Sequence, residues 1–241
     1  MKRRFYRTDD IERRAAERLS ELATKLGGPL TPPVPIELVG EQVLGLNLLW
    51  DGIDELPGEV VFAGLRANDA LVVLNERRRG QMAEKPGLER FTVGHEFGHW
   101  DLFVDHTALN HPSLFGSVPE GAVRYRSSGE ELVAVLRILR EDELGRELLR
   151  ALTARADDPD EARAVNRYSS ALLMPKNLIV NDALAVDRTH WPELYRLAER
   201  YEVSITALTV RLEQLDLLYV DRASGRLHPS KASAMGQGSL F

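Results

Sequence analysis

The sequence predicts an α+β chain in which one helix carries the chemistry. Three observations lead there. Strand-like runs are grouped between residues 46 and 75, amphipathic helical patterns precede and follow them, and one helical segment holds H-E-x-x-H at His95-Glu96-Phe97-Gly98-His99. The expectation is a small mixed β-sheet with the H-E-x-x-H helix packed on it, followed by a C-terminal helical subdomain.

The elements follow in order. Residues 9–26 read as an amphipathic helix with the stripe Ile11, Ala15, Leu19, Leu22 and Leu26. Asp9 with Glu12 makes a capping-box-like start and Gly27-Gly28 a stop. A proline-rich turn leads into a short helix near 36–43. Leu46 to Trp50, Glu59 to Ala63 and Leu71 to Asn75 are rich in Val, Leu or aromatics and bounded by Gly, Asp or Asn, which predicts three strands. Pro86 sits where a first helical turn tolerates proline. Leu88, Phe91, His95, His99 and Leu102 then recur at three- and four-residue steps, the period of a helix. From Phe103 to about Gly129 the chain reads as irregular, a lid or a surface loop. Helical patterning resumes at 130–154 and 159–173. Residues 192–216 read as two short helices joined at Glu202-Val203-Ser204, with Ser204 as N-cap, and a hairpin follows around Ala223-Ser224-Gly225.

Composition narrows the function. A chain of 241 residues with 44% hydrophobic content can bury an ordinary core. Its formal net charge of -6 gives no overall attraction to the phosphate backbone, so direct nucleic-acid binding is not expected. There is no cysteine, which leaves His, Asp and Glu as the ligands for any zinc. Met1-Lys2-Arg3-Arg4-Phe5 is basic, but no apolar signal region follows, and no run approaches the roughly 18 apolar residues of a membrane span. The expected location is therefore the cytoplasm.

The H-E-x-x-H spacing has a mechanical meaning. Residues four apart share a helix face, so His95 and His99 can offer both imidazoles to one ion. Zn²⁺ suits that pair, with one further protein ligand and an open position for water. Glu96 is placed to take the proton from that water as general base. The flanks Phe91, Val93, Phe97 and Trp100 are apolar, and polar groups buried among them need partners. A metal supplies one.

Phe91-Thr92 before His95-Glu96 and Gly98-His99, the three short strands ahead of them, and Leu172-Leu173-Met174-Pro175 behind them together resemble the ImmA/IrrE family of metallopeptidases. So do Leu197-Ala198, Val203-Ser204, Ala207-Leu208 and Arg211-Leu212. The resemblance runs from about residue 10 to 220. It implies a zincin-like fold, and the chain is expected to divide into a metallopeptidase domain over 1–180 and a helical and hairpin subdomain over 181–221, while the small, polar composition of the last residues reads as a disordered tail over 222–241. It also implies a zinc endopeptidase that cleaves a helix-turn-helix repressor in stress-response or mobile-element regulation. His95 and His99 match the family's zinc histidines and Glu96 its general base.

The third ligand departs from the family's E-x-x-A-[ND] pattern. Asn166 and Pro175 align, but the in-phase position is Ala162, and Glu161 stands one residue early, turned by about 100° on an ideal helix. Glu161 also completes a capping arrangement with Asp158 and Pro159. It remains the expected third ligand, with Asp160, Glu130 and Glu131 as alternatives, or a site with no third protein ligand. That last case would make the chain a catalytically silent relative acting through protein–protein contacts. Tyr125, Arg126, Arg167 and Tyr168 are candidates for an oxyanion donor, and His106 and His111 for lining the site.

Two further signals lie near the C-terminus. The 192–216 pair invites a helix-turn-helix reading, but its second helix offers Thr206, Thr209, Arg211, Glu213 and Gln214 in an acidic neighbourhood, a poor set for a DNA groove. Gln237-Gly238-Ser239-Leu240-Phe241 resembles the bacterial sliding-clamp-binding pentapeptide, with Gly238 in place of its usual Leu.

Overall fold

The computed structural model describes residues 6–55, 60–85, 87–106, 109, 124–128 and 159–236. Pro86, His111, Glu130, Glu131, the 130–154 helical pattern, Asp158 and the 237–241 pentapeptide lie outside them.

Helix α1 (Thr8–Leu26) buries Ile11, Ala15, Leu19 and Leu22, four side chains at helical spacing. It ends at Gly27, whose φ of 73° lets the turn close with the N–H groups of Gly27 and Gly28 on Thr24 and Ala23. Its start corrects the expected capping box. Arg7 is the N-cap, no side chain caps the helix, and Glu12 turns inward instead. The reason is Arg211, a fully buried guanidinium that needs a carboxylate: its Nη1 and Nη2 donate to the two oxygens of Glu12 at 2.6 and 2.8 Å.

The short helix α2 (Ile36–Leu38) widens into a π-type turn over Val39–Leu44 and leads to the sheet. Strands β1 (Asn47–Asp51), β2 (Val61–Arg66), β3 (Leu71–Asn75) and β4 (Arg124–Ser128) stand in the order β1-β3-β2-β4. β1 runs parallel to β3, while β2 is antiparallel to both β3 and β4, so the sheet is mixed. The central pair β2 and β3 is buried almost along its length, which explains its near-continuous apolar sequence. β4 corrects the irregular reading of the stretch after Phe103. Its sequence, Arg-Tyr-Arg-Ser-Ser, carries no apolar alternation, and it is a strand through pairing with β2.

After helix α3 (Arg79–Ala83) comes α4 (Leu88–Gly98), which passes without a break into a π-type turn over His99–Phe103. Gly87 precedes α4 at φ 78°, and a Cβ there would lie 2.6 Å from the Cα of Val203, so both conformation and space call for glycine. α4 packs against β2, β3 and β4, and most extensively against helix α5 (Pro159–Leu173).

Helices α6 (Lys176–Leu184), α7 (Trp191–Tyr201) and α8 (Ile205–Gln214) follow, then the two-stranded pair β5 (Tyr219–Val220) and β6 (Leu227–His228). Ser204 caps α8, its hydroxyl accepting from the Ala207 N–H at 3.1 Å. Thr206, Thr209 and Arg211, part of the face a DNA-reading helix would present, are buried instead. Residues 231–234 form a one-turn helix, α9 (Lys231–Ala234), closed by a Ser230–Ser233 capping box, where the expected tail was disordered. One buried apolar cluster takes in Leu22, Phe62, Phe97, Leu172 and Leu208, joining α1, the sheet, α4, α5 and α8. Among the described residues, no helix is long and apolar enough to cross a membrane.

Candidate functional site

The site is made by two antiparallel helices brought unusually close. α4 has glycine at 94 and 98, four apart and therefore on one face. A Cβ on Gly94 would lie 2.6 Å from the Oγ of Ser169, and one on Gly98 would lie 3.0 Å from both Cα and Cβ of Val165. The backbones of α4 and α5 therefore approach where any larger side chain would hold them apart. Ser169 fastens the contact, its hydroxyl donating to the Phe91 carbonyl at 3.0 Å.

That approach sets α5 against the histidines. His95 and His99 are fully or almost fully buried, and their Nε2 atoms stand 3.1 Å apart. On the opposite edge of each ring, Nδ1 of His95 meets Oδ1 of Asn166 at 3.1 Å, and Nδ1 of His99 meets Oε1 of Glu161 at 3.1 Å. A carboxylate oxygen and an amide oxygen accept, so these contacts assign the ring proton to Nδ1 in both residues. Each Nε2 is then an acceptor, and the two face each other. Such a pair is favoured by a cation placed between its lone pairs. With Zn–N bonds of about 2.05 Å, a 3.1 Å separation corresponds to an N–Zn–N angle of roughly 100°, within reach of tetrahedral geometry. The pair fits zinc.

Glu96 is fully buried beside His95, one residue on and about 100° further around the helix. The predicted third ligand, Glu161, comes to the histidines at Nδ1 of His99, not at the paired Nε2 atoms. Among the described residues, no group of three or more His, Cys, Asp or Glu side chains is gathered as a metal would require. Asp160 is exposed and pairs with Arg163 one turn along.

Two oxyanion candidates are engaged elsewhere. Tyr168 is buried and donates to Oδ2 of Asp101 at 2.8 Å; burial, reinforced by the Asp101 charge, pushes its phenol well above the ordinary range. Arg167 donates from Nε to Glu12 at 2.9 Å. Tyr125 and Arg126 lie on β4, opposite Leu65 and Gly64 of β2. His106 is turned to Trp100, with its Nε2 3.0 Å from that residue's carbonyl oxygen and its ring edge-on at 4.6 Å between centroids. A cavity of about 400 Å³ adjoins the site, lined by Tyr6, Phe91, Phe103, Arg163, Asn166 and Gln214 among others. The Phe103 ring lies 6.4 Å from that of His99.

Two features had not been assigned a role from sequence. Asn166 aligns without one, because the ring edge it meets depends on how α4 and α5 dock. Asp101 was not singled out at all. It is buried at the end of the α4 extension, accepts from Arg18 Nη2 at 2.7 Å and Nε at 3.1 Å, and lies 3.4 Å from Arg14. With Tyr168 it ties α1, α4 and α5 together just below His99.

The fold and site define a mixed α+β protein with a buried, back-supported histidine pair on one helix. No family model matches the chain, and no curated protein matches it.

Proposed function

We propose that the chain is a zinc-dependent endopeptidase of the ImmA/IrrE type, with a zincin-like fold, acting on a protein substrate in the cytoplasm. A helix-turn-helix repressor in stress-response or mobile-element regulation is the substrate that resemblance suggests. One observation carries the reading: two imidazoles four residues apart converge through Nε2 at 3.1 Å, each held from behind at Nδ1, with the buried carboxylate of Glu96 next to them.

His95 and His99 would hold the metal through Nε2. Zinc bound there would supply Lewis acidity, making water more acidic and polarising the scissile carbonyl. Glu96 accepts a proton from the attacking water on a carboxylate oxygen and returns it to the departing amine nitrogen as the C–N bond breaks. Glu96 and His95 are fully buried and His99 almost so, which keeps bulk water from competing for those protons.

The test is zinc content together with cleavage of a panel of helix-turn-helix repressors. Wild type should bind close to one zinc and cut at least one of them. Glu96→Gln should keep the zinc and lose cleavage by a factor of about 10² to 10⁴, while His95→Ala should lose both. A Glu96→Gln protein that cuts as well as wild type would refute the peptidase reading.

A second reading draws on the finding that, among the described residues, no group of three or more His, Cys, Asp or Glu side chains is gathered to hold a metal. In it the chain is a silent relative that works as an interaction module, docking on the replication sliding clamp through Gln237, Ser239, Leu240 and Phe241. A zinc-free wild type whose clamp capture disappears on deleting 237–241 would favour it.

A further inference from the structure

We propose that Glu161 and Asn166 are a matched pair of positioning residues, one behind each histidine, and that Glu161 is not itself a metal ligand. For its consequence in metal binding this rests on the zinc reading; for the state of the histidines it does not.

The argument is geometric. α4 and α5 run antiparallel, fixed by the close approach of Gly94 to Ser169 and Gly98 to Val165. In that register Asn166 stands behind His95 and Glu161 behind His99, with both contacts at Nδ1 and both at 3.1 Å. An imidazole has only two ring nitrogens on opposite edges, so an oxygen on Nδ1 cannot share an ion held by Nε2 of the same ring without a change of rotamer. The two Nδ1 acceptors instead perform one task twice: each keeps the ring proton on Nδ1 and leaves Nε2 as a lone-pair donor. Buried rings that accept this constraint from the helix behind them are pre-set for a cation before one arrives. The two acceptors differ usefully. Asn166 gives a neutral acceptor, while Glu161, a quarter exposed, makes the His99 imidazole a stronger donor than an amide would.

The deciding measurement is long-range ¹H–¹⁵N correlation of the histidine rings in chelator-treated protein at one fixed pH, which reads the tautomer of each imidazole with no metal present. Wild type should show Nδ1–H for both His95 and His99. Glu161→Ala should shift His99 alone towards the Nε2–H form and Asn166→Ala should shift His95 alone, while Glu161→Gln, whose amide oxygen still accepts, should leave His99 as it was. Predominant Nε2–H at His99 in wild type, or a His99 tautomer indifferent to Glu161→Ala, overturns the proposal. Zinc titration of the same proteins supplies the second arm. Glu161→Ala should weaken binding by about 10- to 100-fold, as outer residues do, and Glu161→Gln by less than about threefold. A Glu161→Gln protein that loses zinc as completely as His99→Ala identifies a ligand and refutes the assignment. A wild type that binds no zinc refutes the proposed function instead, and the ring tautomers still decide the roles of Glu161 and Asn166.

Discussion

Gly98 and Val165 face each other so closely that a Cβ on the glycine would lie 3.0 Å from the valine's Cα and Cβ. Alanine at 98 would gain about 0.5–1 kcal/mol of helix preference over glycine. That gain is smaller than the cost of forcing backbone apart in a packed interior, about 1–3 kcal/mol. Gly98→Ala should therefore destabilise the fold, and zinc affinity should suffer more than stability, because α5 carries both Nδ1 acceptors. Urea unfolding and zinc titration on one preparation measure the two effects. A Gly98→Ala protein as stable as wild type, with unchanged zinc affinity, would show that the approach is not required.

Gly94 offers a sharper version, since its obstacle is a side-chain atom. Its added Cβ would meet Ser169 Oγ at 2.6 Å, and Ser169→Ala removes that atom. Gly94→Ala should be the less damaging in the Ser169→Ala background, so the double mutant should be more stable than the sum of the single changes by about 0.5–1 kcal/mol or more. Simple additivity would mean that the helices had already moved apart.

The Asp101 network should be felt through stability. Removing only the Tyr168 hydroxyl leaves the ring in place but takes one donor from a buried carboxylate, a loss of about 1–2 kcal/mol. Asp101→Asn should cost more, because Arg18 then loses the charge that both its Nε and Nη2 address. Chemical denaturation of Tyr168→Phe and Asp101→Asn gives the order, and the reverse order would contradict the network as described.

Glu12 supplies a pH dependence with a definite sign. Burial pushes its carboxyl up, but the hydrogen bond and charge of Arg211, joined by Arg167, outweigh burial and hold it below the ordinary range. A folded-state value below the unfolded one, about 4.3 for Glu, means stability that is fully present above the unfolded value. It is lost as pH falls through the folded one. Wild type should therefore exceed Glu12→Gln in unfolding free energy at pH 7, and the gap should shrink as the pH is lowered past about 4.3. A gap that stays constant down to acid pH would remove Glu12 as its source.

What could be read from the chain divides along physical lines. Helical periodicity placed α1 and α7 because each buries one face, as Ile11, Ala15, Leu19 and Leu22 do on α1; α4 and α8 were also placed, although they are buried almost all round. The runs at 46–50, 59–63 and 71–75 became β1, β2 and β3, with β1 one residue later, β2 starting two and ending three residues later, and β3 in place. β4 was not legible, since its strand character comes from β2 and not from its own residues. Nor was the inward turn of Glu12: its partner Arg211 is 199 positions away, and no local rule competes with a buried guanidinium at that separation. The histidine pair was visible because four-residue spacing is a property of one helix. The edge of each ring that α5 would meet depends on how two helices dock, which Gly94 and Gly98 permit but do not specify.

Position 162 turns that docking into a final prediction. It stands four residues before Asn166 and one after Glu161, so its side chain leaves α5 about 100° around the helix from that of Glu161. Ala162 is half-buried, so a longer side chain has a route out of the helix. Placed there, a carboxylate would leave α5 in the phase of the E-x-x-A-[ND] pattern, 100° from Glu161 and free of the Nδ1 contact. Ala162→Glu, with Glu161 kept in its place behind His99, should tighten zinc by at least about 1.4 kcal/mol, one decade in Kd. Combined with Glu161→Ala, the added carboxylate should still bind more tightly than Glu161→Ala alone, but His99 should lose its Nδ1–H preference. Competition titration against a chromogenic chelator reads the affinities. If Ala162→Glu leaves zinc binding unchanged, position 162 does not face the ion, and the phase argument for this helix fails.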